Sequence, residues 1–116
     1  MASPRRVEKL NILLQEEIAK ILDEELEFPE GSLVTITRVS ISQDAYYAVI
    51  FVSVLGKDPR KCLESLRKNT YHIQQLLNRR LRMRPVPKIR FVVDEGELKR
   101  ESVEKSLAEL KRKNDF

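Results

Sequence analysis

The chain contains a single cysteine, Cys62. No internal disulfide can form, so nothing points to the oxidising compartments where small domains rely on such cross-links. No apolar run approaches the roughly 20 residues of a membrane-spanning helix. The N-terminus, Met1-Ala2-Ser3-Pro4-Arg5-Arg6, leads straight into an amphipathic pattern and lacks the apolar centre of a signal peptide. These absences lead us to expect a cytoplasmic protein. Glycine occurs only at Gly31, Gly56 and Gly96, each at an expected turn, so there is no glycine-rich phosphate loop. The lone histidine, His72, has no cysteine or histidine at metal-ligand spacing. Carboxylates are plentiful but scatter along the first helix and the C-terminus, without a serine–histidine–aspartate grouping. The expectation is a protein with no catalytic residues, no metal, no cofactor and no small-molecule substrate.

What is present suits one small domain with a charged surface. The chain has 116 residues, 41% hydrophobic and 34% charged. That length is near the usual size of a single domain, and we read residues 1–116 as one. The net charge of +4 and the pI of about 9.3 favour a polyanionic partner. There is no internal repeat, low-complexity segment or long linker.

The order of elements follows from the hydrophobic period. Ser3 and Pro4 read as an N-cap and first helical residue. Val7, Leu10, Leu14, Ile18, Ile21, Leu22 and Leu26 then recur at helical spacing, and the helix ends before Pro29 and Gly31. From Leu33 to Ile41 the period becomes two, with β-branched residues suited to a strand. Ser42-Gln43-Asp44-Ala45 is a short turn, and Tyr46 to Leu55 a second strand, so the pair is an antiparallel hairpin. Ala48, Ile50, Val52 and Val54 line one face of that strand. Tyr47, Val49, Phe51 and Ser53 line the other, which is also largely apolar. Asp58-Pro59 opens a second helical region reaching about Met83, with Cys62, Leu63, Leu66, Thr70, Ile73, Leu77 and Leu81 as its buried stripe. Pro85 and Pro87 stop it, and Ile89, Phe91 and Val93 alternate as a third strand. Val103, Leu107 and Leu110 suggest a last, thinly apolar helix in a tail that begins near residue 97 and frays. The result is an α+β layout in which the two long helices pack on one face of a three-stranded sheet, the other face being open or covered by the tail.

The chemistry concentrates between Arg79 and Phe91. Arg79, Arg80, Arg82, Arg84, Lys88 and Arg90 alternate with aliphatic residues across the end of a helix and into a strand. Dense arginine on an ordered surface attracts a phosphate backbone, because guanidinium groups stay charged and release counterions on binding. On a helical wheel Lys61, Lys68, Gln75 and Arg82 share one line, flanked by His72 and Arg79, opposite the core face. The bland alternative is an ordinary solvated helix face. No acidic residue separates Arg67 from Lys88, which favours phosphate contact. Arg80 lies nearer the core edge and should snorkel.

These pieces resemble the ribosome-binding factor A family, bacterial small-subunit assembly factors with a type II KH-like fold. The resemblance rests on Arg6-Val7 and Glu17-Ile18-Ala19 in the first helix. It continues through Thr37-Arg38-Val39-Ser40-Ile41-Ser42-Gln43-Asp44, Tyr47-Ala48-Val49-Ile50-Phe51-Val52-Ser53, Leu81-Arg82-Met83-Arg84 and Val86-Pro87-Lys88-Ile89-Arg90-Phe91, to about Leu107. It implies a monomer that binds 16S rRNA and immature 30S subunits during late maturation and rRNA processing, without catalysis. Similar proteins break the long helix with an Ala-x-Gly kink where ordinary KH domains carry a GxxG loop. Here the aligned residues are Asn69-Thr70-Tyr71, and Phe28-Pro29-Glu30 replaces the usual Asp-Pro-Arg after the first helix. A break needs no glycine, because Asn tolerates left-handed angles and Asn69 or Thr70 can cap a new helix. We expect such a kink; the alternative is one straight helix with Thr70 filling the stripe. The expected RNA-contacting set is Lys61, Lys68, Asn69, Thr70, His72, Arg79, Arg82, Arg84, Lys88 and Arg90. Two other functions remain open: a protein-interaction module using a sheet face around Tyr47, Val49 and Phe51, and a nonspecific RNA or DNA binder.

Overall fold

The computed structural model describes residues 4–94 and residue 107. Helix α1 spans Pro4–Glu25 and buries Leu10, Leu14, Ile18, Ile21 and Leu22, the middle of its apolar stripe. Ser3, the expected cap, lies outside the described residues. The hairpin follows as β1, Leu33–Ile41, and β2, Tyr47–Leu55, paired antiparallel. Asp44 organises its turn: the carboxylate accepts from the Ser42 hydroxyl at 2.6 Å and the Tyr46 amide at 3.0 Å. Ala45 takes a positive φ of 62° there. A bulge between Ile36 and Arg38 shifts the register, so Val34 and Ile36 before it and Val39 and Ile41 after it all pack against the main core.

Gly56 ends β2 at φ +138°, where a Cβ would come within 3.0 Å of the Ser32 Cα. Asp58 then caps α2, Pro59–Lys68, accepting from the Lys61 amide at 3.2 Å. After Asn69 comes α3, Thr70–Arg80, and then β3, Lys88–Val93. Strand β3 runs parallel to β2, giving the order β1-β2-β3. Parallel neighbours need a long crossover, and α2 with α3 supplies it.

One face of the sheet carries Ala48, Ile50, Val52, Ile89 and Phe91 into a core shared with α1, α2 and α3. Phe91 is 2% exposed, as its alternation with Ile89 predicts. Helix α3 stops three residues short of the expected Met83. Leu81 instead turns extended (φ −92°, ψ 135°) while staying buried, so the chain leaves the helix with Leu81 still seated in the core.

A polar side chain joins α3 to β3 inside this core. Gln74, 5% exposed, donates to the Pro87 carbonyl at 3.0 Å and accepts from the Ile89 amide at 2.9 Å. Its amide thus supplies backbone partners at the start of an edge strand. Gln74→Leu is expected to destabilise the fold by about 1–3 kcal/mol, because two buried backbone groups lose their partners. A urea midpoint equal to wild type would show that water replaces the amide.

The second face of the sheet is closed over strand β2. Val49 and Phe51 are buried there in a cluster of their own, with Tyr47, Val92 and Leu107 packed against it. Leu107 is helical, and the remaining tail residues, with Val103 and Leu110, lie outside the described residues. The Arg38 guanidinium covers the Phe51 ring at 3.9 Å from its centroid.

Candidate nucleic-acid interface

The long crossover helix breaks where expected, by a different device. Asn69 has φ −100° and ψ 7°, outside the left-handed region. It makes no side-chain cap to α3; its Nδ2 donates backward to the Ser65 carbonyl at 2.7 Å. Thr70 does the same, its Oγ1 donating to the Leu66 carbonyl at 2.9 Å. Two consecutive side chains therefore compete for carbonyls of the last turn of α2, a pattern that bends helices. Amides of Asn69 and Ile73 still reach the carbonyls four residues back, at 3.1 and 2.9 Å, so the interruption is narrow. The double substitution N69A/T70A is expected to merge α2 and α3 into one helix. Backbone chemical shifts of residues 67–74 would report it, and an unchanged pattern would place the cause of the break in the surrounding packing.

The basic stripe resolves into three groups. Lys68, Arg79 and Arg82 are exposed and have no hydrogen-bond or ion-pair partner among the described residues. A second group is already engaged. Lys61 lies 3.9 Å from Asp58, and His72 lies 3.8 Å from Glu25 on α1. Arg84 donates to the carbonyls of Leu81, Met83 and Asn78 at 2.9, 2.6 and 3.2 Å, so its guanidinium holds the turn after α3. Asn69 and Thr70 bond back to α2, as above. Lys88 and Arg90 form the third group. They alternate with the buried Ile89 and Phe91 and so belong to the opposite face of the sheet. The helical stripe and the β3 cations are not one continuous surface, because a strand reverses side-chain direction at every residue and a helix does not.

Other placements were not foreseen. Arg80 does not simply snorkel: it reaches Glu24 at 3.3 Å and ties α3 to α1. Arg38, with Asp94 at 3.9 Å, adds a cation to the face that carries Arg90. Asp94 also accepts from the Thr37 hydroxyl. From α1, Arg6 and Lys9 join Arg84 around a cleft of about 460 Å³ whose walls include Leu13, Met83 and Pro85. The bulge that turns Arg38 outward has a signal in the sequence, because the apolar alternation slips by one residue between Val34, Ile36 and Val39, Ile41. Arg6 and Lys9 have one too, since both fall off the buried stripe of α1. The proposed partner-binding face around Tyr47, Val49 and Phe51 is not open, because Arg38 and Leu107 pack over it.

Among the described residues no group of three or more His, Cys, Asp and Glu side chains is placed to hold a metal ion. Cys62 is buried, as expected of a small core residue. No described helix is long and apolar enough to cross a membrane.

The comparisons agree with this geometry. The family model of ribosome-binding factor A matches residues 6–107. A ribosome-binding factor A of Vibrio campbellii is 38% identical over 77% of this chain and 68% of its own length. One from Macrococcus caseolyticus is 34% identical over 92% of this chain and 96% of its own. Among structures, a homology model of the Thermus thermophilus factor, fitted into a cryo-EM map of its complex with 30S, superposes with a TM-score of 0.64. It is 26% identical, covering 72% of this chain and 90% of that one. The fold is α+β of the type II KH-like kind, and the chain belongs to the ribosome-binding factor A family.

Proposed function

We infer that this chain binds immature 30S subunits and 16S rRNA in the cytoplasm and assists late small-subunit maturation and rRNA processing. It acts by occupancy: it holds an rRNA region in one arrangement and then leaves, with no bond made or broken. The single observation that carries this reading is the shared fold with a factor fitted into a 30S complex. The exposed cations support it. Lys68, Arg79 and Arg82 are the primary phosphate contacts, since none of them is paired among the described residues. Asn69 and Thr70 act through the kink they create. Lys61, His72 and Arg84 contact RNA only by exchanging or sharing their present partners, and Lys88 and Arg90 serve a second contact from the far side of the sheet. The chain functions as a single domain and a monomer.

Sedimentation of a cell lysate, probed with an antibody to this protein, tests the assignment. Co-migration with free small subunits and absence from translating ribosomes is the expected result. Co-migration with polysomes, or recovery only in the ribosome-free fraction, would overturn it.

A further inference from the structure

Helix α1 and the outer edge of β1 frame a groove of about 590 Å³. Its floor is apolar: Leu22, Leu26, Phe28, Val34 and Ile36 line it, and each also packs against the main core. One wall is a strand edge. Strand β1 is terminal in the sheet, and the run Leu33–Ile36 lies in the groove before the bulge breaks the register. A terminal strand presents backbone N–H and C=O groups to whatever lies beside it. The charged residues of the lining are Glu16 and Asp23, both exposed on α1, and no basic residue lines the groove among the described residues. Glu27 and Glu30 follow in the loop that leads into β1. In a chain of net charge +4 this is a local reversal of sign, which disfavours a nucleic acid here and favours a cation.

We propose that the α1–β1 groove binds an extended basic segment of a partner protein, which adds a short strand to the outer edge of β1. Strand addition supplies main-chain hydrogen bonds, and every second side chain of the guest enters the apolar floor. Lysine or arginine at the ends of the guest, on the α1 side, meets Glu16 and Asp23. Strand length is limited by the bulge, so the guest pairs with Leu33–Ile36 and goes no further. This site is separate from the phosphate-contacting surface and does not depend on it.

The test uses the full chain and two synthetic peptides of about eight residues, valine alternating with lysine and valine alternating with glutamate. In NMR titrations the lysine peptide should shift and protect from exchange the amides of residues 33–36, and the glutamate peptide should not. E16K/D23K, which alters exposed positions only, should weaken the lysine peptide at least tenfold and leave affinity for an rRNA fragment undiminished. No saturable binding up to roughly millimolar peptide would overturn the proposal. So would shifts centred elsewhere, equal binding of both peptides, or an rRNA fragment that itself perturbs residues 33–36. Failure of rRNA binding with the peptide result intact would overturn the RNA reading alone.

Discussion

Replacing Arg79 and Arg82 together by alanine is expected to weaken binding to 16S rRNA fragments by more than tenfold at low salt. Both side chains are exposed, and neither has a hydrogen-bond or ion-pair partner among the described residues. Their removal therefore takes away phosphate-binding charge without breaking intramolecular bonds. Each neutralised phosphate adds about 0.7–0.9 to the slope of log affinity against log salt, so without the two arginines that slope should flatten by about 1.4–1.8. The melting temperature should stay within the range of surface substitutions, about ±0.5 kcal/mol in stability. Arg84→Ala makes the useful contrast. Its guanidinium spans three carbonyls of the turn between α3 and β3, so stability should fall together with affinity. Fluorescence anisotropy across a salt series, beside thermal melts of the same proteins, separates the two. Undiminished affinity in the double variant would remove the end of α3 from the interface.

Phe91→Ala should cost about 3–5 kcal/mol, the usual range for emptying a buried phenylalanine site. The ring is 2% exposed, and its strand neighbour in β2 is Ile50, which is fully buried. Surrounding elements cannot collapse into the space, because β3 is tethered to α3 by Gln74 and to β2 by the ladder. For a domain of this size that loss is a large share of total stability. Chemical denaturation measures it directly. A midpoint close to wild type would mean that the core tolerates the cavity by a rearrangement of β3.

The contrast between these two substitutions reflects how far each was legible beforehand. Phe91 was legible because a strand has period two: once Ile89 and Val93 are assigned inward, Phe91 follows. The face of Arg79 was legible for a similar reason, since helical spacing sets it opposite Ile73 and Leu77. Arg84 was not. It follows the end of α3, where no period applies, and only the path of the turn decides that its donors meet carbonyls. Asn69 and Thr70 were half legible. Their low helix propensity marked the break, but the sequence suggested a forward cap on α3, whereas both side chains bond backward to the Ser65 and Leu66 carbonyls. Gln74 went unremarked because a glutamine near a core face looks like any surface glutamine until a strand start arrives beside it.

By itself, then, the sequence determined the elements, their faces and the lack of any catalytic or metal-binding pattern. These are consequences of local periodicity, capping residues and composition, which act over a few residues. Tertiary structure decided the rest. Parallel pairing of β3 beside β2 placed Lys88 and Arg90 across the sheet from the helical cations. The bulge in β1 aimed Arg38 over Phe51 and, with Leu107, closed a face that alternation alone left undecided. The docking of α1 against the edge of β1 gathered its carboxylates around an apolar groove. Each of these joins residues distant in the chain, and such pairings depend on packing geometry that no local pattern encodes.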